Sequence, residues 1–396
     1  MGITDMLRAL WRPAGKQAGQ PAFTLPLVTR AHFAPRNYES FAREGYAGNA
    51  IVFRCVNEIA VAASSVHWNI LAEGKALAGS HPLCRLLSRP APGMSGAALL
   101  ESLTAYRLIA GNAYVEAVGP AEGAPRELHV LRPDHVRVLT DRRGRLAGYE
   151  HETPAGKRRL PCDPLRGLGP VLHLAAFNPL DEHYGLAPTE AAAAVIDSHN
   201  AQTVWNKALL DNAARPSGAL VVQGNAGLGA EQFERLKAEI EARFSGAMAA
   251  GRPMLLEGGL QWQEMSFSPR DMDFRQAREA HAREIALAFG VPPLLLGLPG
   301  DNTYANYREA RLALWEQTVL PLVQDMAAHF EAWLAPRFGR GITIRPDLDR
   351  ISALAPRREK LHAMLEGASY MSEEEKRTAA GLPPRPPSSG GARGGK

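Results

Sequence analysis

The chain has 396 residues, with 45 Lys and Arg against 41 Asp and Glu and only 3 cysteines. That length allows two or three domains and a sizeable core, while near-balanced, mixed charge excludes a tight sequence-independent nucleic-acid binder, which needs a clustered basic footprint. Cys55, Cys84 and Cys162 are too scattered for a disulfide framework and read as thiols in a reducing compartment; no run of about 18 apolar residues is present to span a membrane, so a soluble intracellular protein is expected.

Residues 1–44 read as a flexible segment, because residues 12–36 mix Pro, Gly, Gln and Ala without periodicity and bury too little apolar surface to offset ordering. From Asn49 to Ser65 the spacing of Ile51, Cys55, Ile59 and Ala62 predicts a helix. A second helix is expected from Ser95 to Ala110. Strand patterns follow at 113–118, in ELHVLRPDHVRVLTD, where Val136 and Val138 alternate with charge, and at 171–177, with Gly144 and Gly148 punctuating a hairpin.

A long helix is expected over 189–214, entered at Pro188 and stopped by Pro216, with Val195, Ile196, Trp205, Leu209 and Leu210 as a partial apolar stripe. A small α/β module follows: a strand at 219–222, a helix from Glu231 to Phe244, and a hairpin turning at Gly258-Gly259. The next helix, Ser268 to Gly290, carries an N-cap candidate, Pro269 at its first position and the capping-box acid Asp271. Asp271, Arg275, Glu279 and Arg283 are four apart in turn and predict an exposed ion-pair ladder.

Residues 290–310, GVPPLLLGLPGDNTYANYREA, interrupt this pattern with three prolines yet stay apolar. A third long helix then starts near Thr303, with Leu312, Trp315, Val319, Leu322, Met326, Phe330 and Trp333 on one stripe. Pro321 inside it predicts a kink. A strand in ITIRPDL and a helix near 356–367 complete the ordered chain, and the Pro/Gly-rich residues 383–396 read as a disordered tail. The fold class is α+β.

Candidate chemistry is sparse. Gly93-Met94-Ser95-Gly96-Ala97 nearly matches a nucleophile elbow, but Ala97 replaces the last glycine and no strand precedes it, so Ser95 reads as a helix cap. His81 and Cys84 offer two ligands where a zinc site needs more. Asp181, Glu182 and His183 read as a polar turn, with an acid-base cluster as the alternative. The basic groups Arg142-Arg143-Gly144-Arg145 and Lys157-Arg158-Arg159 read as solvated hairpin turns. No metal or cofactor is expected.

Five short motifs occur in a fixed order: VFRCVN at 52–57, AGNAY at 110–114, YGLAP at 184–188, FGVPP at 289–293, and TYAN at 303–306 followed by Leu320-Pro321-Leu322. In that order the chain resembles the portal proteins of tailed bacteriophages, of the long non-contractile-tail type also found in prophages and gene transfer agents. The similarity spans roughly residues 45–382.

The resemblance implies a homododecameric ring at one capsid vertex, in a virion or gene transfer agent particle assembled in the bacterial cytoplasm. Double-stranded DNA would pass through the ring, bound weakly and without sequence preference. The large terminase subunit, a head-tail adaptor and the major capsid protein are the implied partners, no membrane is involved, and the chain is not an enzyme. Residues 45–188 would be the wing, 189–215 and 268–290 the stem helices, and 216–267 the clip. Residues 291–303 would be the tunnel loop, 304–350 the kinked helix and a returning wing strand, and 351–382 a small crown.

Within these parts, Leu298, Pro299, Gly300, Asp301 and Asn302 would narrow the channel, while Leu294, Leu295 and Leu296 pack against neighbouring subunits. Arg270, Arg275, Arg278 and Arg283 are candidate stem charges, and Glu231, Glu234, Glu241 and Arg243 candidate docking residues of the clip. A sliding duplex needs weak contacts, because a lumen neutralising many phosphates would hold DNA through counterion release; the alternating charges of 271–283 suit that demand. The alternatives are another capsid or adaptor protein, or a hydrolase using Ser95 or the Asp181 to His183 cluster.

Overall fold

The computed structural model describes residues 34, 36–120, 123–163, 169–211, 218–222, 231, 234, 235, 260–264, 274–299 and 303–381. Helical structure begins before residue 45. Asn37 accepts the Ser40 amide and starts α1 (Tyr38–Ser40), which runs into a π-helical segment, Phe41–Ala47. Helix α2 (Ala50–Ser64) is capped by Asn49, whose carboxamide oxygen accepts the amides of Ile51 and Val52. Its inner face is Val52, Cys55, Val56, Ile59 and Ala63, all buried. Burial pushes the Cys55 thiol up to about 12, leaving it an unreactive core group.

Strands β1 (Trp68–Ala72) and β2 (Lys75–Ala76) form a hairpin. Then come α3 (Pro82–Ser88), capped by His81, and α4 (Gly96–Ala110), capped by Ser95 and ended by Gly111 in the left-handed region. Five antiparallel strands follow: β3 (Asn112–Val118), β4 (Glu127–Leu131), β5 (Val136–Thr140), β6 (Leu146–Thr153) and β7 (Gly156–Pro161). With β8 (Val171–Ala175) they make two sheets, ordered β4-β3-β8 and β5-β6-β7. The β5-β6 turn lies at Gly144. Gly148 sits inside β6 beside the point where the register shifts, a bulge rather than a turn.

The helix expected over 189–214 is broken: a short α5 (Pro188–Ala191) is followed by α6 (Ala193–Asp211). Of its expected stripe, Ile196 is buried but Trp205 is exposed; the remainder past residue 211 lies outside the described residues up to β9. Strand β9 (Gly218–Val222) pairs antiparallel with β10 (Leu260–Glu264), while the other expected strand of that module lies outside the described residues. Helix α7 (Phe274–Ala288) packs beside α6; the Ser268 cap and Asp271 fall outside the described residues.

After a 3-10 turn at Pro293–Leu296, Thr303 caps α8 (Tyr304–Leu314). The proline expected to kink the helix lies at a change of helix type. A π-helical segment, Trp315–Val319, runs directly into α9 (Leu320–Phe338) through right-handed helical backbone, so Pro321 lies just after the wider turn. Strand β11 (Ile342–Pro346) then returns to pair with β1, with Ile70 opposite Ile344. Helices α10 (Ala355–Gly367) and α11 (Glu373–Ala379) close the described chain, the latter through a Ser372/Glu375 capping box that was not anticipated.

Two clusters form the core. One joins α2 to Leu108 and Ile109 of α4, Ile196 of α6, Ile285 of α7, and Trp315 and Val319 of the π segment. The other packs Met326, Phe330, Trp333 and Leu334 of α9 against α4, β3, β8 and β11. Phe330 is fully buried and meets Trp68 and Trp333 edge-on. Phe330→Ala is expected to lower the unfolding free energy of the isolated chain by about 3–5 kcal/mol, read from the shift of its urea transition; a change below 1 kcal/mol, roughly surface level, would contradict this packing.

Candidate functional site

Two of the sequence motifs, AGNAY and YGLAP, meet in space. Asn112 reaches across to Gly185: its side-chain oxygen accepts the Gly185 amide at 2.8 Å, and its amide group donates to the carbonyls of Ala110, at 2.8 Å, and Gly185, at 3.3 Å. The same oxygen accepts the Nε2 proton of His173 at 2.9 Å. Thr189, just after YGLAP, donates to Leu108 O at 3.0 Å, so open carbonyls at the end of α4 are satisfied by side chains of Asn112 and Thr189. A Cβ on Gly111 would collide with the backbone of Gly185, and one on Gly185 with the backbone of Gly111 and Ala176. Glycine is required at both for close approach, and the junction fixes where the chain leaves β8 for α5 and α6.

His173 stacks on Tyr114 with centroids 4.3 Å apart. Burial, then His183 and His329, hold its pKa down at about 4 from an ordinary 6.5. Neutral His173 therefore stabilises the fold fully above pH 6.5, and that contribution is lost as pH falls towards 4. His199 adds to it in the same direction: it accepts from Asn49 at 3.1 Å, tying α6 to the cap of α2, and burial lowers its pKa, helped by Arg278 and His281.

The segment after α7 is held at several points. Thr318 of the π segment donates to Gly290 O at 2.7 Å, and Gly290 has φ of 67°. Val291 and Leu295 are buried in the chain's own core, with Leu296 against it. Leu295 and Leu296 therefore anchor the segment within its own subunit, rather than on a neighbour as expected. Gly297, in the left-handed region, turns the chain out. Arg283 then donates to Pro299 O at 2.6 Å, so the end of α7 grips the segment directly.

Of the candidate channel residues, Leu298 is half-buried and Pro299 exposed; Gly300, Asp301 and Asn302 lie outside the described residues. Arg278 and Arg283 are exposed on α7, whereas Arg270 and the side chain of Arg275 lie outside the described residues. Glu231 and Glu234 are exposed, with Glu231 paired to Arg235 at 2.7 Å; Glu241 and Arg243 lie outside. The Arg283 and Thr318 bonds were missed from sequence because they join residues 16 and 28 apart through backbone carbonyls.

The other candidates resolve into structure. Ser95 Oγ accepts the Ala98 amide as a cap, and Asp181 accepts the amides of His183 and Tyr184 in a turn. Asp141 accepts the amides of Arg143 and Arg145 and pairs with the Arg145 guanidinium. Lys157, Arg158 and Arg159 lie along β7 rather than in a turn, paired with Glu150, Glu152 and Glu116. Such neutralised cations make poor phosphate contacts.

The phage portal protein family matches residues 50–381. A chain in the neck of an empty GTA particle, computed with C6 symmetry, is 47% identical over 89% of this chain and 96% of its own, with a TM-score of 0.69. A second, from the neck of a native GTA particle computed with C12 symmetry, is 46% identical over 89% and 95%, with a TM-score of 0.67. A relative from Rickettsia bellii (strain RML369-C) is 45% identical over 86% of this chain and 88% of its own. The chain belongs to the phage portal protein family. It is a structural portal protein and not an enzyme, in line with the capping role of Ser95.

Gly185→Ala is expected to destabilise the chain by about 2 kcal/mol or more, whereas alanine at Gly79, which has open space, should change it little; equal thermal shifts would refute the close approach. Between pH 6.5 and pH 4 the unfolding free energy should fall by on the order of 3 kcal/mol through His173 alone. Urea titrations across that range should show a shallower pH slope for His173→Gln; an unchanged slope would rule the histidine out.

Proposed function

We propose that this chain forms a twelve-fold ring at one capsid vertex, through which double-stranded DNA enters during packaging and leaves on delivery. The observation that carries the reading is 46% identity, over 89% of the chain, to a component of a GTA neck computed with C12 symmetry. In this reading the particle is of the gene transfer agent or phage type, residues 45–188 with β11 form the wing, and α6 and α7 are the stem. Residues 216–267 form the clip, which docks the large terminase subunit and then the head-tail adaptor, while the wing rim meets the major capsid protein.

The anchoring of residues 290–299 supports their role as a tunnel loop. Buried Val291 and Leu295 hold its root, and the Gly290 and Pro299 carbonyls are gripped by Thr318 and Arg283, leaving half-buried Leu298 and exposed Pro299 as the described residues nearest the proposed channel. Repetition around the ring multiplies each exposed charge, so Arg278 and Arg283 become circles of positive charge. Half-buried Glu279 and exposed Glu284 on the same helix moderate that field and keep phosphate contacts weak enough to slide.

Deleting residues 298–302 should leave rings intact by electron microscopy but reduce the DNA retained per particle, measured by nuclease-protected DNA. Glu234→Lys should likewise impair packaging or tail attachment with rings preserved. Unchanged DNA content in the deletion would remove the loop from the channel; dispersal of this protein over the shell, seen by labelling, would sink the portal reading itself.

A further inference from the structure

The turn between β8 and α5 carries two large apolar side chains into solvent, Phe177 at 85% and Leu180 at 89% exposure. Such exposure usually accompanies a loose loop, but this one is braced. Asn178 accepts the Leu180 amide at 2.9 Å and donates to Tyr184 O at 2.8 Å. Asp181 accepts two amides, His183 bonds Gly144 O at 2.9 Å, and Tyr184 accepts the Val138 amide at 2.9 Å. A rigid loop presenting an aromatic and a leucine loses little entropy on docking.

A receptor of matching character lies elsewhere on the same chain. Helices α2 and α8 flank a groove of about 350 Å³, walled by Arg54, Val61, Tyr307 and Arg311 and floored by Leu295 and Trp315. Val61 is 55% and Tyr307 49% exposed, and Phe53, two turns before Val61 on α2, is 47% exposed. Val61 on α2 and Tyr307 on α8 thus present exposed apolar surface from both walls of the groove. Among the groove's charges, Arg54 pairs with Glu58 at 2.7 Å, whereas Arg311 donates to the neutral Ser352 hydroxyl at 3.3 Å, so the lining carries a net positive charge centred on Arg311; the loop carries Asp181 and Glu182.

We propose that Phe177 and Leu180 of one copy seat in the α2/α8 groove of the adjacent copy, with Asp181 and Glu182 on the side of Arg311. This rests on the ring reading above. A cyclic ring needs two different, complementary patches on every subunit, and the loop and groove match in apolar character and in sign of charge.

The test uses the full-length chain, with ring formation followed by native mass spectrometry and contact by crosslinking. Leu180→Cys combined with Val61→Cys should give, under mild oxidation, a ladder of disulfide-linked oligomers on non-reducing gels. Each single variant should stay at the background set by buried Cys55 and half-buried Cys84 and Cys162. Leu180→Asp and Val61→Asp should each raise the concentration needed for assembly about tenfold or more, with Leu180→Met near wild type. Assembled rings that give no ladder overturn the contact while leaving the ring standing. A Leu180→Asp ring that assembles normally but no longer holds another particle protein assigns the loop to that protein and equally overturns it. A wild-type chain that never forms rings, alone or in particles, overturns the ring reading first.

Discussion

The approach of Gly111 to Gly185 organises the rest of the chain. Two backbones can lie this close only without side chains between them, and the Asn112 carboxamide then satisfies groups from both. Because it also closes the end of α4 and orients His173, one carboxamide sets the start of β3, the edge contact of β8 and the departure of α5. Removing a partner from such a buried set costs about 1–3 kcal/mol per orphaned group, so the arrangement behaves as a unit. It places the sheets at a defined distance from the helices that carry the proposed channel surface.

A second layer of constraint runs from the cores to the segment after α7. The α2-centred cluster receives Leu295 and Trp315 together, so the root of the loop and the π segment share one packed environment. Arg107 of α4, at 2.5 Å from Asp325 of α9, ties the same helices to the sheet cluster. The segment proposed to line the channel therefore rests on a scaffold that is apolar at its base and hydrogen-bonded through the Gly290 and Pro299 carbonyls.

Much of this was legible in the sequence. Ser95 was legible as a cap, and helix starts were expected at Asn49 and near Thr303, where short polar side chains compensate open amides. The alternation of Val136 and Val138 and the stripe from Leu312 to Trp333 marked buried faces. What sequence could not supply were long-range carbonyl contacts: nothing local to Arg283 or Thr318 specifies Pro299 or Gly290. The break at Ala192 was hidden by an alanine run with good helix propensity on both sides. Phe177 and Leu180 read as part of a strand end and a turn, since exposure on a braced loop depends on hydrogen bonds from Asn178 and Asp181.

The π segment at Trp315–Val319 has a further meaning for how α8 and α9 are phased. An α-helix advances about 100° per residue, so the wider turn acts as an inserted residue that rotates everything before it relative to everything after. Helix α9 keeps Phe330 and Trp333 against the sheet, while α8 turns Tyr307 and Arg311 towards the groove beside α2. The two helices thus serve two surfaces with independent azimuths, joined by an angular offset built into the backbone. Variation in one surface need not disturb the other, which gives the chain a mechanical route to change its outward contacts while its core stays in register.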